Sequence, residues 1–145
     1  MEKYKYLIVP FITLFVCQFI KFTIESIKCK KIKLGRFFNG TGGMPSTHTS
    51  FAFSLVFMIA FNIGVTSLEF AVTLVFAIIV AFDSMGVRLE SGLQAEAINM
   101  LLDEVFESKD GLKRLKESLG HKPLEVLVGL ILAFVITLIT NNLLF

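Results

Sequence analysis

The 145-residue sequence is poor in charged residues, which make up 18% of it, and it contains two cysteines and no tryptophan. Cys17 lies in an apolar run and Cys29 lies among lysines, so neither has the paired spacing of a disulfide framework or a metal cluster. The net charge is only +2, and the basic residues lack the interleaved aromatic side chains of a nucleic-acid surface. We therefore expect free thiols, no cysteine-based metal cluster and no nucleic-acid partner. No cofactor is expected.

Hydrophobic residues, in contrast, make up 54% of the sequence, and sixteen residues are phenylalanine. The mean hydropathy of +0.75 is far above that of an ordinary soluble domain. We expect an all-α integral membrane protein with about four transmembrane helices, forming one membrane-embedded domain over residues 1–145. The predicted spans are residues 6–27, 49–65, 68–82 and 123–145.

The first apolar run follows two lysines, as in a signal peptide, but no small-residue cleavage site follows it, so a retained helix is expected. Lys21 lies near the far end of this run. An ionisable residue there is either a functional group or a side chain that extends to the headgroups. A basic connector then follows, with Lys28, Lys30, Lys31, Lys33 and Arg36.

Charge asymmetry predicts the orientation in the membrane. The basic connector outweighs Lys3 and Lys5, so it is expected to be cytoplasmic. With four spans, residues 83–122 are then cytoplasmic too, and both chain ends lie outside. The expected location is the bacterial cytoplasmic membrane, which the chain crosses several times.

The residues from about 91 to 119 form an amphipathic insertion. Leu93, Ala97 and Leu101 recur at helical spacing, and the acidic residues Glu96 and Asp103 lie opposite them. A second short amphipathic turn, capped by Gly120, is expected before the last span. The insertion is predicted to lie on the membrane or against a partner subunit, which makes a homodimer possible.

A polar motif, Gly42-Gly43-Met44-Pro45-Ser46-Thr47-His48, precedes the second span. The glycines permit close backbone approaches, and the proline and hydroxyl residues are typical of a helix start. His48 then lies in the first turn, where free amides and the helix dipole favour an anion such as phosphate. The histidine there can transfer a proton. The alternative is a helix start whose histidine merely lies at the membrane interface.

The second half of the candidate site is Gly120-His121-Lys122-Pro123-Leu124-Glu125. If a helix begins near Pro123, Glu125 can bind one ring nitrogen of His121 and leave the other nitrogen as a nucleophile. The alternative is a helix cap with an incidental histidine. Asp83 and Arg88, which follow the third span, form either an interfacial ion pair or part of the same site.

These motifs resemble the divergent branch of the type 2 phosphatidic acid phosphatase superfamily, which is related to the vanadium-dependent haloperoxidases. Pro45, Ser46 and His48 match the superfamily motif Pro-Ser-Gly-His, with Thr47 in the glycine position. His121, followed by three residues and an acid, matches the latter part of the third motif, with a glutamate in place of aspartate. The resemblance covers nearly the whole chain.

The superfamily's first motif, a lysine, six residues and Arg-Pro, has no clean counterpart here. No proline follows Arg36, and either Lys21 or Lys28 would supply the lysine. Arg88 would supply the arginine of the third motif, although the amphipathic insertion then separates it from His121.

The resemblance implies a metal-independent lipid phosphate phosphatase, acting on a glycerolipid or isoprenyl phosphate or diphosphate. It implies that His121 attacks phosphorus, that Glu125 stabilises the imidazolium, and that His48 protonates the leaving oxygen and then activates water. The implied phosphate-binding residues are Arg88, Ser46, Gly43, Thr47, Arg36 and Lys21, and Asp83 and Lys122 have supporting positions.

Two other interpretations remain open at the level of sequence. The protein can be a non-catalytic transporter or scaffold that retains the fold, since its first motif is altered. Alternatively, His48, Asp83, His121 and Glu125 have the side chains of a metal site, but they lack compact ligand spacing.

Overall fold

The computed structural model describes residues 4–29, 43–105, 113–117 and 120–145. Within these residues the chain forms five α-helices and no β-strand. The helices are α1 (Lys5–Cys29), α2 (Thr47–Asn62), α3 (Leu68–Met85), α4 (Val87–Val105) and α5 (Pro123–Leu144). The expectation of an all-α protein is therefore confirmed.

Among the described residues, three helical segments are long and apolar enough to cross a membrane: Lys5–Lys28, Leu68–Val105 and Pro123–Leu144. The apolar helix α2 is shorter, with 16 residues, which at 1.5 Å per residue is roughly 24 Å. A typical hydrocarbon core is about 30 Å thick. Helix α2 therefore either crosses a thinned bilayer or leaves its polar ends below the headgroups.

The boundaries of α2 and α3 follow from local chemistry. The Oγ atom of Ser46 accepts a hydrogen bond from the backbone amide of Thr49 at 3.3 Å, which caps α2. Ser67 caps α3 in the same way, through the amide of Phe70 at 3.1 Å. Between the helices Gly64 has a φ of +110°, which a residue with a side chain rarely adopts. The turn is short, so α2 and α3 form an antiparallel hairpin.

Helix α2 lies at the centre of the bundle, where it packs against α1, α3 and α5. Its buried face carries the small polar residues Ser50 and Ser54, and small side chains allow helix backbones to approach closely. The Oγ atom of Ser50 lies 2.7 Å from the carbonyl oxygen of Ser46 and 3.0 Å from that of Gly129 in α5. Helices α1 and α3 both pack on α2, but in the described part of the chain their backbones do not approach each other.

The amphipathic region differs from the prediction. Helix α4 begins at Val87, earlier than expected, and only Gly86 separates it from α3. Residues 113–117 are not helical, although a short amphipathic turn was predicted there. The side chain of Asn99 explains this difference, because its amide group bonds the N–H of Leu115 at 3.0 Å and the C=O of Leu115 at 2.9 Å. These bonds from α4 replace the intrahelical bonds that a helix would need.

Candidate active site

Four parts of the chain meet at one end of the bundle: the second half of α1, the start of α2, the end of α3 and the start of α5. The backbone amide of Ser46 donates to the carbonyl oxygen of Glu125 at 2.9 Å, which joins α2 to α5. The amide of His121 donates to the carbonyl oxygen of Ser84 at 2.9 Å, which joins the segment before α5 to α3. The structure therefore places both histidine motifs in one site, as the sequence predicts.

The side chains of His121 and Glu125 form the centre of this site. The Nδ1 atom of His121 lies 2.8 Å from Oε2 of Glu125, and the histidine side chain is 2% exposed. The same Oε2 atom accepts a hydrogen bond from the backbone amide of Lys122 at 3.3 Å. A carboxylate at Nδ1 places the proton there, so that Nε2 carries a free lone pair.

His48 faces the His121 ring. The two ring centroids are 5.7 Å apart, and the ring planes are inclined by 63°. The Nδ1 atom of His48 is buried and has no hydrogen-bond partner among the described residues. A polar atom of this kind can bind a substrate oxygen or a water molecule. The two histidine rings therefore lie next to each other, close enough to act on the same ligand.

Two cations act on this pair. Lys21 is 6% exposed in α1, and Arg88 is in the first turn of α4. Burial lowers the pKa of His121 below 6.5, the hydrogen bond to Glu125 raises it, and the charges of Lys21 and Arg88 lower it further. Lys28 is exposed near the end of α1, so the structure favours Lys21 as the lysine of the site.

Arg88 lies beside Asp83, so the two residues form the ion pair that was one of the two interpretations of their spacing. Its Nε atom is 2.8 Å from Oδ2 of Asp83, and the two side chains are 48% and 44% exposed. Such a half-exposed ion pair is weak. Asp83 therefore leaves about half of the Arg88 side chain accessible at the edge of the site.

Ser46 and Thr47 have structural contacts in addition to their predicted role. The Oγ atom of Ser46 is completely buried and accepts from both the amide and the hydroxyl of Thr49. The hydroxyl of Thr47 lies 3.6 Å from the Sγ atom of Cys17 in α1. The two side chains therefore fix the start of α2 in the bundle. Because both hydroxyls already have partners, the groups at the start of α2 that could bind a phosphate are backbone amides of the first turn.

The remaining predicted residues are placed as follows. Gly43 has a φ of +81°, a backbone conformation that glycine adopts readily because it has no Cβ atom. The side chain of Lys122 is exposed, and only its backbone contacts Glu125. Gly42 and Arg36 lie outside the described residues.

Two glycines have a role that the motifs alone do not reveal. A Cβ atom on Gly129 would lie 2.7 Å from the carbonyl oxygen of Ser46, and one on Gly120 would lie 2.3 Å from the Cα atom of Leu89. Both obstacles are backbone atoms, which cannot rotate away. Gly120 therefore permits the close approach of two chain segments beside His121, and the prediction that it caps a helix is wrong.

In the described part of the chain, no group of three or more histidine, cysteine, aspartate or glutamate side chains is placed to hold a metal ion. The four residues of the metal-site interpretation all lie within that part. Asp83 contacts Arg88, while Glu125 contacts His121. The metal-site interpretation therefore has no supporting ligand cluster.

Residues 3–136 match the sequence model of the divergent PAP2 family. The membrane protein YuiD of Bacillus subtilis (strain 168) is 38% identical to this chain, and the alignment covers 84% of each protein. No solved structure matches significantly.

Proposed function

Because this chain belongs to the divergent PAP2 family, we propose that it is a membrane lipid phosphatase. Its substrate is a phosphomonoester or diphosphate of a glycerolipid or isoprenyl lipid, and the reaction passes through a phosphohistidine without a metal. The observation that carries this proposal is the His121–Glu125 pair, held at 2.8 Å beside the ring of His48.

In the first step, Nε2 of His121 attacks phosphorus while the bond to the leaving oxygen breaks. His48 donates a proton to that oxygen, so the lipid leaves as an alcohol or as a lipid monophosphate. The imidazole that attacks becomes cationic, and the carboxylate of Glu125 stabilises that charge through Nδ1. The product of this step is a phosphohistidine.

In the second step, water attacks the phosphohistidine. His48, now neutral, accepts a proton from the water, and the N–P bond breaks to release phosphate and neutral His121. Lys21, Arg88 and the amides at the start of α2 bind the other phosphate oxygens. Phosphoryl transfer depends mainly on such positioning and charge, since negative charge spreads over these oxygens in the transition state.

The test is phosphate release from a panel of lipid phosphates by the purified wild type, His121→Ala and His48→Ala. The matched control is Leu124→Ala, which removes an exposed side chain located between His121 and Glu125 in the sequence. We expect His121→Ala to abolish turnover and the acid-labile phosphoenzyme, and His48→Ala to lower turnover about 10²- to 10⁴-fold. The control should retain wild-type activity.

An aryl phosphate with a good leaving group separates the two histidines. It needs little protonation, so it should partly restore phosphoenzyme formation in His48→Ala and not in His121→Ala. Labelled phosphate trapped on the His121→Ala protein would contradict the covalent assignment. If wild type releases no phosphate from any substrate, the non-catalytic transporter or scaffold is the better interpretation.

A further inference from the structure

An apolar groove with a volume of about 220 Å³ lies between α1 and α3, over the face of α2. Its walls include Leu7 and Pro10 of α1 and Phe76 of α3, and Phe51 and Leu55 of α2 form its floor. In the described residues the backbones of α1 and α3 do not approach each other. The groove therefore opens sideways into the surrounding lipid.

The surface of the groove has almost no free polar group. Thr73 contributes a hydroxyl, but this hydroxyl already donates to the carbonyl oxygen of Glu69 at 2.7 Å and so leaves its methyl group as the groove surface. Tyr6 lies next to Lys5, whose Nζ atom is 5.5 Å from the ring centroid, at the end of α1 far from the site. A polar ligand would gain no hydrogen bond along most of this groove, whereas a hydrocarbon would lose none.

The groove begins directly below the candidate active site. His48, Phe51 and Leu55 are spaced at i, i+3 and i+7, so they lie on one face of α2. At 1.5 Å per residue, Phe51 and Leu55 lie about 5 Å and about 10 Å below His48. The floor of the groove is therefore a continuation of the face that carries the proton donor.

The two walls show the same alignment. In α1, Pro10 and Lys21 are eleven residues apart, close to three full turns. In α3, Phe76 and Asp83 are seven residues apart, close to two full turns. Three helices thus each carry a polar site residue above an apolar groove residue on the same face, and on α2 the groove begins at Phe51, about 5 Å below His48.

We propose that this groove binds the hydrocarbon chain of the lipid phosphate while its phosphate lies between His48 and His121. This inference rests on the proposed function and adds to it a chain-binding subsite and a lateral route of entry between α1 and α3. Pockets for drug-sized ligands have volumes of about 300–1,000 Å³. The smaller groove therefore accommodates part of one chain, and a second chain of a glycerolipid stays in the bilayer.

Chain binding of this kind makes recognition depend on two anchors. The cations bind the phosphate, and the groove walls contact the chain, which gains little free energy over the bilayer because lipid tails are as apolar as these side chains. A lipid without a phosphate has only the second anchor, so bulk membrane lipid occupies the groove weakly. A soluble phosphate ester has only the first anchor and is a poor substrate.

The test is photolabelling of the full chain in lipid nanodiscs with a long-chain monoalkyl phosphate that carries a diazirine near mid-chain. Labelled residues are identified by mass spectrometry, with the corresponding long-chain alcohol as the matched probe. We expect labels on residues 51–55 and 73–76, about tenfold stronger with the phosphate than with the alcohol. Equal labelling by the alcohol, or labels spread over the lipid-facing side of α5, would overturn the proposal.

Two variants of α2 and α3 test the groove itself. Ala52→Phe places a phenyl ring in the groove, and we expect it to lower labelling about tenfold because the ring occupies the space of the chain. Ala71→Phe introduces the same side chain on the exposed opposite side of α3 and should label like wild type. Phe76→Ala removes an exposed wall residue without filling any space, and the loss of this wall contact should also lower labelling. This variant tests the groove in case Ala52→Phe does not fold. Unchanged labelling in Phe76→Ala and in folded Ala52→Phe would overturn the proposal.

These results are separable from the proposed function. Phosphate-dependent labels in the groove without phosphate release from any substrate would support the subsite and reject the phosphatase. Phosphate release by wild type, with labels elsewhere, would support the phosphatase and reject the subsite.

Discussion

The carboxylate of Glu125 determines the protonation of His121 in two ways. It fixes the proton on Nδ1 at 2.8 Å, and it raises the pKa of His121 against the larger effect of burial, which lowers it. In the proposed mechanism neutral His121 is the nucleophile, so its lowered pKa should preserve activity at pH values below 6.5. Activity is then lost as the pH falls through that lowered pKa.

The first prediction is that Glu125→Gln lowers kcat about 10²- to 10⁴-fold and moves the acid limb of kcat/KM to lower pH. The carboxylate raises the pKa of His121, so its loss should lower this pKa further. The measurement is a pH profile with an aryl phosphate, and Glu90→Gln at an exposed position is the matched control. An acid limb that stays in place or moves to higher pH would contradict this account.

The second prediction concerns Arg88. Its ion pair with Asp83 is half-exposed and contributes about 0–1 kcal/mol to stability, so Arg88→Ala should fold and melt almost normally. Loss of a phosphate-binding cation should nevertheless lower kcat/KM about 10²- to 10³-fold. Melting temperature and kinetics are measured in the same detergent.

The control for Arg88 is Arg114→Ala, because Arg114 also forms an exposed ion pair, with Asp103, but lies outside the site. It should lose a similar ion pair and keep its activity. Equal kinetic losses in the two variants would show that the effect of Arg88 is not specific to phosphate binding.

Sequence motifs identified the pair of histidines because spacing and residue type are preserved in the chain itself. They did not distinguish the two roles of Ser46, since a serine before a helix can cap it or bind an anion. Only the structure shows that its Oγ atom is buried and already accepts two hydrogen bonds from Thr49. Which of the two roles Ser46 has depends on how the start of α2 packs against other helices, and no local sequence pattern indicates that packing.

Between helices, the decisive contact is the approach of α5 to the start of α2. The backbone of Gly129 lies so close to Ser46 that a Cβ atom would be 2.7 Å from its carbonyl oxygen. One helical turn earlier in α5, the carbonyl oxygen of Glu125 accepts from the amide of Ser46 at 2.9 Å. This contact therefore sets the distance between the two histidine motifs.

The third prediction is that Gly129→Ala destabilises the protein by about 1–3 kcal/mol, the usual effect of overpacking, and lowers kcat because the two histidines move apart. Denaturation in detergent and phosphate release are the measurements. Leu127→Ala, at an exposed position of the same helix, is the control and should change neither strongly. Normal stability with normal kcat would show that α5 can shift without affecting the site.

Runs of apolar residues were sufficient to locate the four apolar helices, since length and hydropathy are properties of the sequence alone. The third apolar run was predicted to reach about residue 82, with the helix ending between residues 83 and 88, and α3 ends at Met85. Ser84 satisfies its hydroxyl within the helix, by donating to the carbonyl oxygen of Ala81 at 2.7 Å, and Asp83 pairs with Arg88. The leucine spacing near residue 115, in contrast, predicted a helical turn that the structure does not have. The side chain of Asn99 in α4 bonds the backbone of Leu115, and residues 113–117 are not helical.

For the molecule as a whole, orientation in the membrane is set by charge. The fourth prediction is that the site faces the cytoplasm, because the basic connector carries more positive charge than the N-terminus with Lys3 and Lys5 and therefore favours that side. Single-cysteine variants Glu90→Cys and Asn142→Cys, with Cys17 and Cys29 replaced by serine, are treated with an impermeant maleimide. In intact cells only Asn142→Cys should react, and after permeabilisation both should react.

Both positions are exposed in the structure, so poor access does not explain a missing label. Reaction of Glu90→Cys from outside intact cells would reverse the orientation and place the site at the outer surface. The site chemistry would be unaffected by that result, because it depends on the relative positions of the helices and not on the side of the membrane.

The two backbone hydrogen bonds that join the histidine motifs have a practical consequence. The amide of His121 donates to Ser84, and that of Ser46 donates to Glu125, so neither bond uses a side chain. His121→Ala should therefore retain the shape of the site while it cannot form the phosphoenzyme. Such an inactive variant is suited to capture its natural ligand from cells, and lipid extraction followed by mass spectrometry would identify the headgroup and the chain that it retains.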